Sequence, residues 1–536
     1  MAKRFMASCV LLFALAAGPL MCVAQSSQEG STAGSPAHLG KVHFPTSCSA
    51  AVQPVFEKAV ALMHSFQYQE AQQTFDQAAS LEANCAMAHW GKAMVLHEQL
   101  WTLPDKKALS KGHKESELAQ KLHPATPKEQ GFVTAAAAYY QKNSKISYSD
   151  RNKAYSAALE KLHEQMPDDV EVGSFYALSL VTLAEDDVDS LENQKKAIAI
   201  LQPLLEKYPD HPGVAHYLIH AADRPELAAL GLEAARRYAA IAPDSPHALH
   251  MPSHIFVRLG LWQDSITSNI AAEASAARLA AEHKAESHYQ THAMDFLNYS
   301  YLQSGQEAKA REVIRHMDHV VGASDDTRMQ HHAYLAARTA IELHRWKEAA
   351  AIQDPPLRTD QLDMARWARA IGAARSGDVN GAEFAVGALT DSVSERRRRA
   401  RKDGYTVSSE KPSDLAEAEA WLAFAKGKTE DALKEMREAA EHQEKNGGES
   451  VSVPAREMLA DMLMELKRPR EALAEYRTVL KNAPNRFDAL LGAARAAHAT
   501  GDTSEAQILY TKLADDCPLS ADRPELAEAR TAMAQK

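Results

Sequence analysis

Three short stretches carry closely spaced histidines: "HYLIHAAD" at 216–223, "HALHMPSHIFVRLG" at 247–260 and "HYQTHAMD" at 288–295. Fourteen of the 24 histidines fall between residues 211 and 344, so the enrichment is local. Two neutral imidazoles at i and i+4 on a helix can reach one metal ion, and an aspartate a turn further on completes a two-histidine, one-carboxylate set. The candidate ligands on this pattern are His216, His220, Asp223, His250, His254, His292 and Asp295, facing a common pocket. His247, Arg258, His288 and Tyr299 are expected at its rim, as residues that touch a ligand in the groove. Imidazole-rich ligation points to a transition metal (zinc, copper, nickel or iron) over magnesium or calcium. The same histidines could instead brace helices in a polar network, or stack on a ligand and hydrogen-bond it.

Motifs of familiar enzyme classes are mostly absent. There is no H-E-x-x-H, which places a glutamate beside the first zinc ligand of many peptidases. No C-x-x-C-H for covalent haem, no glycine-rich phosphate loop and no G-x-S-x-G elbow occurs either.

Helices must position these histidines, and the spacing is helical. His247, His250, His254 and Arg258 are separated by steps of 3, 4 and 4, a stripe about 80° wide at roughly 100° per residue. Leu249 and Phe256 point to the other side. In the preceding stretch His216, His220 and Asp223 share one stripe while Val214, Leu218 and Ala221 face away. His288, His292, Asp295 and Tyr299 share a third. Each helix thus offers a polar face opposite the apolar one that must be buried.

A period of 34 residues organises these helices. Ala472, Tyr476 and Pro484 recur as Ala506, Tyr510 and Pro518, and Pro209, His216 and His220 recur as Pro243, His250 and His254. Small residues at fixed offsets let two antiparallel helices approach, and proline ends the second before the next unit begins. The pattern resembles the tetratricopeptide repeat (TPR) family: a small residue eight into the unit, glycine near fifteen, alanine at twenty, an apolar or aromatic residue at twenty-four and proline at thirty-two. Unit starts fall near 52, 86, 170, 212, 246, 291, 330, 363, 413, 453 and 487, with poor matches over 100–165. The resemblance implies an all-α, right-handed TPR superhelix, an α-solenoid of stacked helix hairpins whose concave groove takes a protein or peptide ligand. "HMPSHIFVRLG", "HYLIHAAD" and "CAMAHWGKAM" further resemble a His-rich subgroup of exported bacterial TPR proteins, which implies location but no activity.

Residues 1–24 read as a signal peptide: Lys3 and Arg4, then the apolar "FMASCVLLFALAAGPL", then small residues before Gln25. This places the protein in the periplasm or outside the cell. Residues 25–47 are small and polar, expected as a flexible leader. Residues 48–211 are expected as N-terminal hairpins, 212–350 as His-rich central hairpins, 351–520 as C-terminal hairpins with a basic insertion near 390–410, and 521–536 as a tail. Cleavage leaves Cys48, Cys85 and Cys517. Cys48 and Cys85 each precede an expected helix and form a candidate disulfide in an oxidising compartment. No later stretch is apolar for long enough to form an integral membrane segment. The net charge of −11 argues against nucleic acid as a partner. The functional expectation is an exported binding or scaffold protein with a His/Asp cluster in its groove. The alternative is a metal-dependent hydrolase or oxidoreductase using the same cluster.

Overall fold

The turn residues of the repeat set its hairpins. At the fifteenth position of the units, Gly260, Gly305, Gly377, Gly427 and Gly501 all adopt positive φ, between 66° and 87°. That conformation carries little penalty only for glycine, and it reverses the chain between the paired helices. Phe66, His344 and Lys467 hold the same position in their units at φ of 54°, 52° and 57°. Prolines 209, 243, 484 and 518 lie just beyond the second helices Glu192–Lys207, Ala228–Ile241, Pro469–Asn482 and Thr503–Asp515.

The computed structural model describes residues 38–100, 103–142, 146–184, 190–282, 286–403, 407–408, 410–448 and 450–534. Among these the chain is helical without a strand, and successive helices pair as antiparallel hairpins, each packed on its neighbours. First helices begin at Gln53, Ala86, Val170, Pro212, Pro246, His288, Asp325, Asp363, Ser413, Ala455 and Phe487, close to the starts read from the sequence. The stretch 100–165, where the repeat pattern was poor, also forms hairpin structure. Lys106–Lys121 completes the second hairpin, and Pro127–Tyr139 with Tyr148–Gln165 makes a further one.

Four expectations about organisation need correction or completion. The signal segment 1–24 and the leader up to residue 37 lie outside the described residues. The rest of the leader, 38–47, is packed rather than free: Phe44 is fully buried among Phe56, Trp90 and Phe132, and the Lys41 amide donates to the Asp210 carbonyl at 2.9 Å. One large aromatic ring outweighs the polar composition around it. The tail 521–536 contributes the helix Leu526–Ala534, and its Arg523 is buried against Asp488 at 2.6 Å. The basic run is no separate insertion but the end of one long second helix, Val379–Asp403. Its charges are answered locally: Arg396 meets Asp363 at 2.6 Å and Arg399 meets Asp360 at 3.6 Å.

Cys48 and Cys85 form a disulfide with Cα atoms 5.2 Å apart, joining the entries of the first two hairpins. Cys517 is buried, and that burial pushes its thiol up to about 12.

Contacts distant in sequence tie the central hairpins to the C-terminal ones. Arg258 donates to the carbonyls of Gly447 and Gly448 at 3.0 and 2.9 Å, and the Trp262 indole donates to the Asn485 carbonyl at 2.9 Å. Deeper, the buried Arg486 guanidinium spans Glu342 and Glu457 at 2.8–3.0 Å and donates to the Tyr299 hydroxyl at 2.9 Å. A buried cation this fully paired fixes how the segments meet, because losing either carboxylate would strand it. Val257, Trp262, Phe296, Tyr299 and Val451 form a small apolar cluster at the same junction.

Candidate metal centre

Three consecutive first helices bring the histidines together. Pro212–Ala222 carries His216 and His220. The next is interrupted at Met251–Pro252, because proline lacks the N–H that would continue the ladder. His247 and His250 lie before the interruption and His254 after it. His288–Gln303 carries His292.

The side chains form two groups. In the first, His216 Nε2 lies 3.0 Å from His247 Nε2 and 3.1 Å from His220 Nε2. In the second, His250 Nε2 lies 3.1 Å from His254 Nε2, with His292 close enough that one nitrogen of each ring falls within 4.8 Å of the others. Ligand atoms about 2 Å from a common ion lie roughly 3–3.4 Å apart, so the 3.0 and 3.1 Å spacings suit shared coordination.

Hydrogen-bond accounting fixes where the protons sit. Burial holds His216, His247, His250 and His292 well below the usual histidine range and takes His220 to about 3, so these rings are neutral near pH 7. A neutral imidazole has one N–H. That of His216 lies on Nδ1, 2.6 Å from the His64 carbonyl. That of His250 also lies on Nδ1, donating to Asn269 Oδ1 at 2.7 Å. The Asn269 amide is oriented by its own donation from Nδ2 to the Ser265 carbonyl at 2.8 Å. His254 Nδ1 donates to Asp223 Oδ2 at 2.8 Å. Burial alone would raise the Asp223 carboxyl, but the Arg258 guanidinium and His254 outweigh it and hold it well below the usual carboxylate range. His250 Nε2 therefore turns a lone pair toward His254 Nε2 at 3.1 Å, a gap that a cation or an N–H of His254 fills. A ring N–H anchored on oxygen, as on His216 and His250, is the usual support of a metal-binding imidazole.

A third cluster shows the contrast. Glu171 is fully buried between His64 Nε2 at 2.9 Å and His211 Nε2 at 3.0 Å. His64 Nδ1 accepts from the Tyr217 hydroxyl and His211 Nδ1 from the Val214 amide, at 2.8 and 3.2 Å. Every ring nitrogen has a complementary partner, so this cluster is a hydrogen-bond network with no lone pair left to offer. It also sets the His64 backbone that anchors His216. Gly213 permits that approach: a Cβ there would lie 2.3 Å from His64 Nδ1.

Of the residues singled out from sequence, His216, His220, His250, His254 and His292 converge as expected. His247 is no rim residue. It is 2% exposed and completes the first group, because its helix lies beside Pro212–Ala222. Asp223 supports His254 through Nδ1 rather than joining the ligand atoms. Asp295 is drawn away by Arg338, whose guanidinium lies 2.6 Å from its carboxylate. Tyr299 is buried against Arg486, and Arg258 binds the 447–448 carbonyls and Asp223, while both residues also line a cavity with Trp262, Gly447 and Pro454 beside the histidines' face. His288 stays exposed, stacked on His292 at 5.7 Å. Sequence reasoning passed over Asn269, the His64 carbonyl and the Phe66 ring, which packs 4.4 Å from His216. Phe66 alone left a signal, as a bulky residue at a turn position that favours glycine.

Residues 463–535 match the family model described as tetratricopeptide repeat. The repeated helix hairpins of the other described residues follow the same architecture as that matched segment. No curated protein matches it. Among solved structures, a human IFIT1 dimer with PPP-AAAA is 14% identical with a TM-score of 0.37, over 87% of this chain and 89% of that one. Yeast Tom70 is 14% identical with a TM-score of 0.26, over 90% of this chain and 96% of that one. Likeness at this level carries no argument about ligand or partner. No described helix is long and apolar enough to cross a membrane.

Proposed function

We propose that this TPR scaffold is an exported transition-metal-binding protein, with one ion held by His216, His220 and His247 and a second by His250, His254 and His292. The observation that carries the reading is the convergence of six rings into two groups whose ligand nitrogens lie within 4.8 Å of one another, with the Nδ1–H of His216 and His250 anchored on oxygen so that both Nε2 lone pairs turn inward. Three imidazoles per ion leave a fourth position open, and His220, His254 and His292 are only half-buried, so a small solute reaches it. The Cys48–Cys85 disulfide supports export, since such bonds persist in oxidising compartments.

The test is metal analysis of protein made without a histidine tag. After incubation with zinc or copper and gel filtration, two ions per chain should remain. His250→Gln with His254→Gln should remove one and leave far-UV helicity unchanged. Retention of no ion by the parent protein contradicts the reading, as does unaltered stoichiometry in the double variant.

A further inference from the structure

Resting on the metal-binding reading above, we propose that the two three-histidine groups form one dinuclear copper centre that takes up dioxygen between its ions.

The groups adjoin directly. The His247 and His250 ring centroids are 6.2 Å apart and those of His220 and His254 6.3 Å, no farther than His220 and His247 within one group at 6.4 Å. Their donors are all imidazoles. The nearest carboxylates are already engaged, Asp223 with His254 Nδ1 and Arg258, and Asp295 with Arg338. Dinuclear iron and manganese sites in helical proteins are built around bridging glutamates, and none is present among these ligand atoms. A neutral donor set in a mostly buried site also penalises charge: two divalent ions would bring four positive charges with no anionic ligand. Two copper(I) ions bring two, and imidazole suits copper.

Dioxygen fits the same constraint. Each copper(I) gives one electron, yielding two copper(II) ions and one bridging peroxide. The O–O bond order falls from two to one, two copper–oxygen linkages form, no proton moves and no protein bond changes. The total charge of the centre stays at two throughout, so oxidation adds no net charge to the low-dielectric interior. Oxidation of a lone copper would add one. The surroundings are apolar as well: Phe296 lies 4.5 Å from His254 and 4.8 Å from His250, and Phe66 4.4 Å from His216. Such walls limit the water that reaches the bound peroxide from their side of the site.

The experiment loads tag-free protein with copper(I) under argon, measures copper per chain, and then admits air. Two coppers per chain, one dioxygen consumed per two coppers, a strong near-ultraviolet charge-transfer band and no copper(II) electron paramagnetic resonance signal are expected. The signal is silent because the two spins pair through the bridge. His220→Gln and His254→Gln should each keep one copper, lose the band and become visible by resonance on oxidation, with helicity checked by circular dichroism. Two coppers that oxidise to two full, uncoupled copper(II) signals overturn the shared centre and leave metal binding standing, as does one copper per chain. No retained copper, with zinc still bound at two per chain, overturns the copper assignment alone. No retained metal of any kind overturns both.

Discussion

Acidification should unfold the metal-free protein unusually early. His97, His216, His220, His247, His250 and His292 are buried, and burial holds each below the ordinary histidine value, His97 and His220 at about 3. Above pH 6.5 these rings are neutral in both folded and unfolded chains, so they add no pH dependence. Below it the unfolded chain binds protons that the fold refuses, and stability is lost as pH falls. At pH 5 a ring that stays neutral in the fold is a unit and a half below its unfolded pKa, a loss of about 2 kcal/mol each. Glu70, Asp363 and Asp516 act in the opposite sense: burial raises each to about 6, and each returns about 1.3 kcal/mol, while burial raises Glu457 to about 8 and returns about 3 kcal/mol more. The net loss is on the order of 5 kcal/mol, a large part of the whole stability of an ordinary domain. Urea titrations of chelator-treated protein, followed by far-UV circular dichroism at pH 7.5 and 5.0, measure it. The midpoint should collapse at pH 5.0. Equal midpoints would refute the assignment of these rings as buried and neutral.

Other perturbations address single contacts. Asn269→Leu removes the acceptor that fixes the His250 ring, and competition titration should show metal affinity about 10–100-fold weaker with helicity retained. Arg486→Met leaves the Glu342 and Glu457 carboxylates buried without their cation, and chemical denaturation should report a loss of about 3–5 kcal/mol. Removing the disulfide with Cys48→Ala and Cys85→Ala frees a loop with a sequence separation of 37, which should lower stability by about 3–4 kcal/mol in thermal or urea unfolding.

The sequence carried the local architecture well because its signals are local. The fifteenth-position turn gives the register of Gly260, Gly305, Gly377, Gly427 and Gly501, and the same count places Phe66, His344 and Lys467 correctly although none is glycine. Phase along each helix was enough to put His216 with His220 and His250 with His254. What periodicity cannot carry is the partner across a turn of the superhelix. Two stretches share H-Y-x-x-H-A-x-D, yet Asp223 meets His254 and Arg258 while Asp295 meets Arg338, because different helices stand opposite them. His247 looked like a rim residue on its own helix wheel and is buried only because Pro212–Ala222 and Phe66 cover it. Likewise Phe44 sat in a stretch whose average composition is polar, and averages hide one buried ring.

Anomalous diffraction from crystals of tag-free protein equilibrated with copper or zinc, collected at the absorption edge of the metal, is the most direct test. The account predicts two peaks, one bounded by the Nε2 atoms of His216, His220 and His247, the other by His250, His254 and His292. Absence of both peaks, or density at other residues with these six rings unchanged, would contradict it.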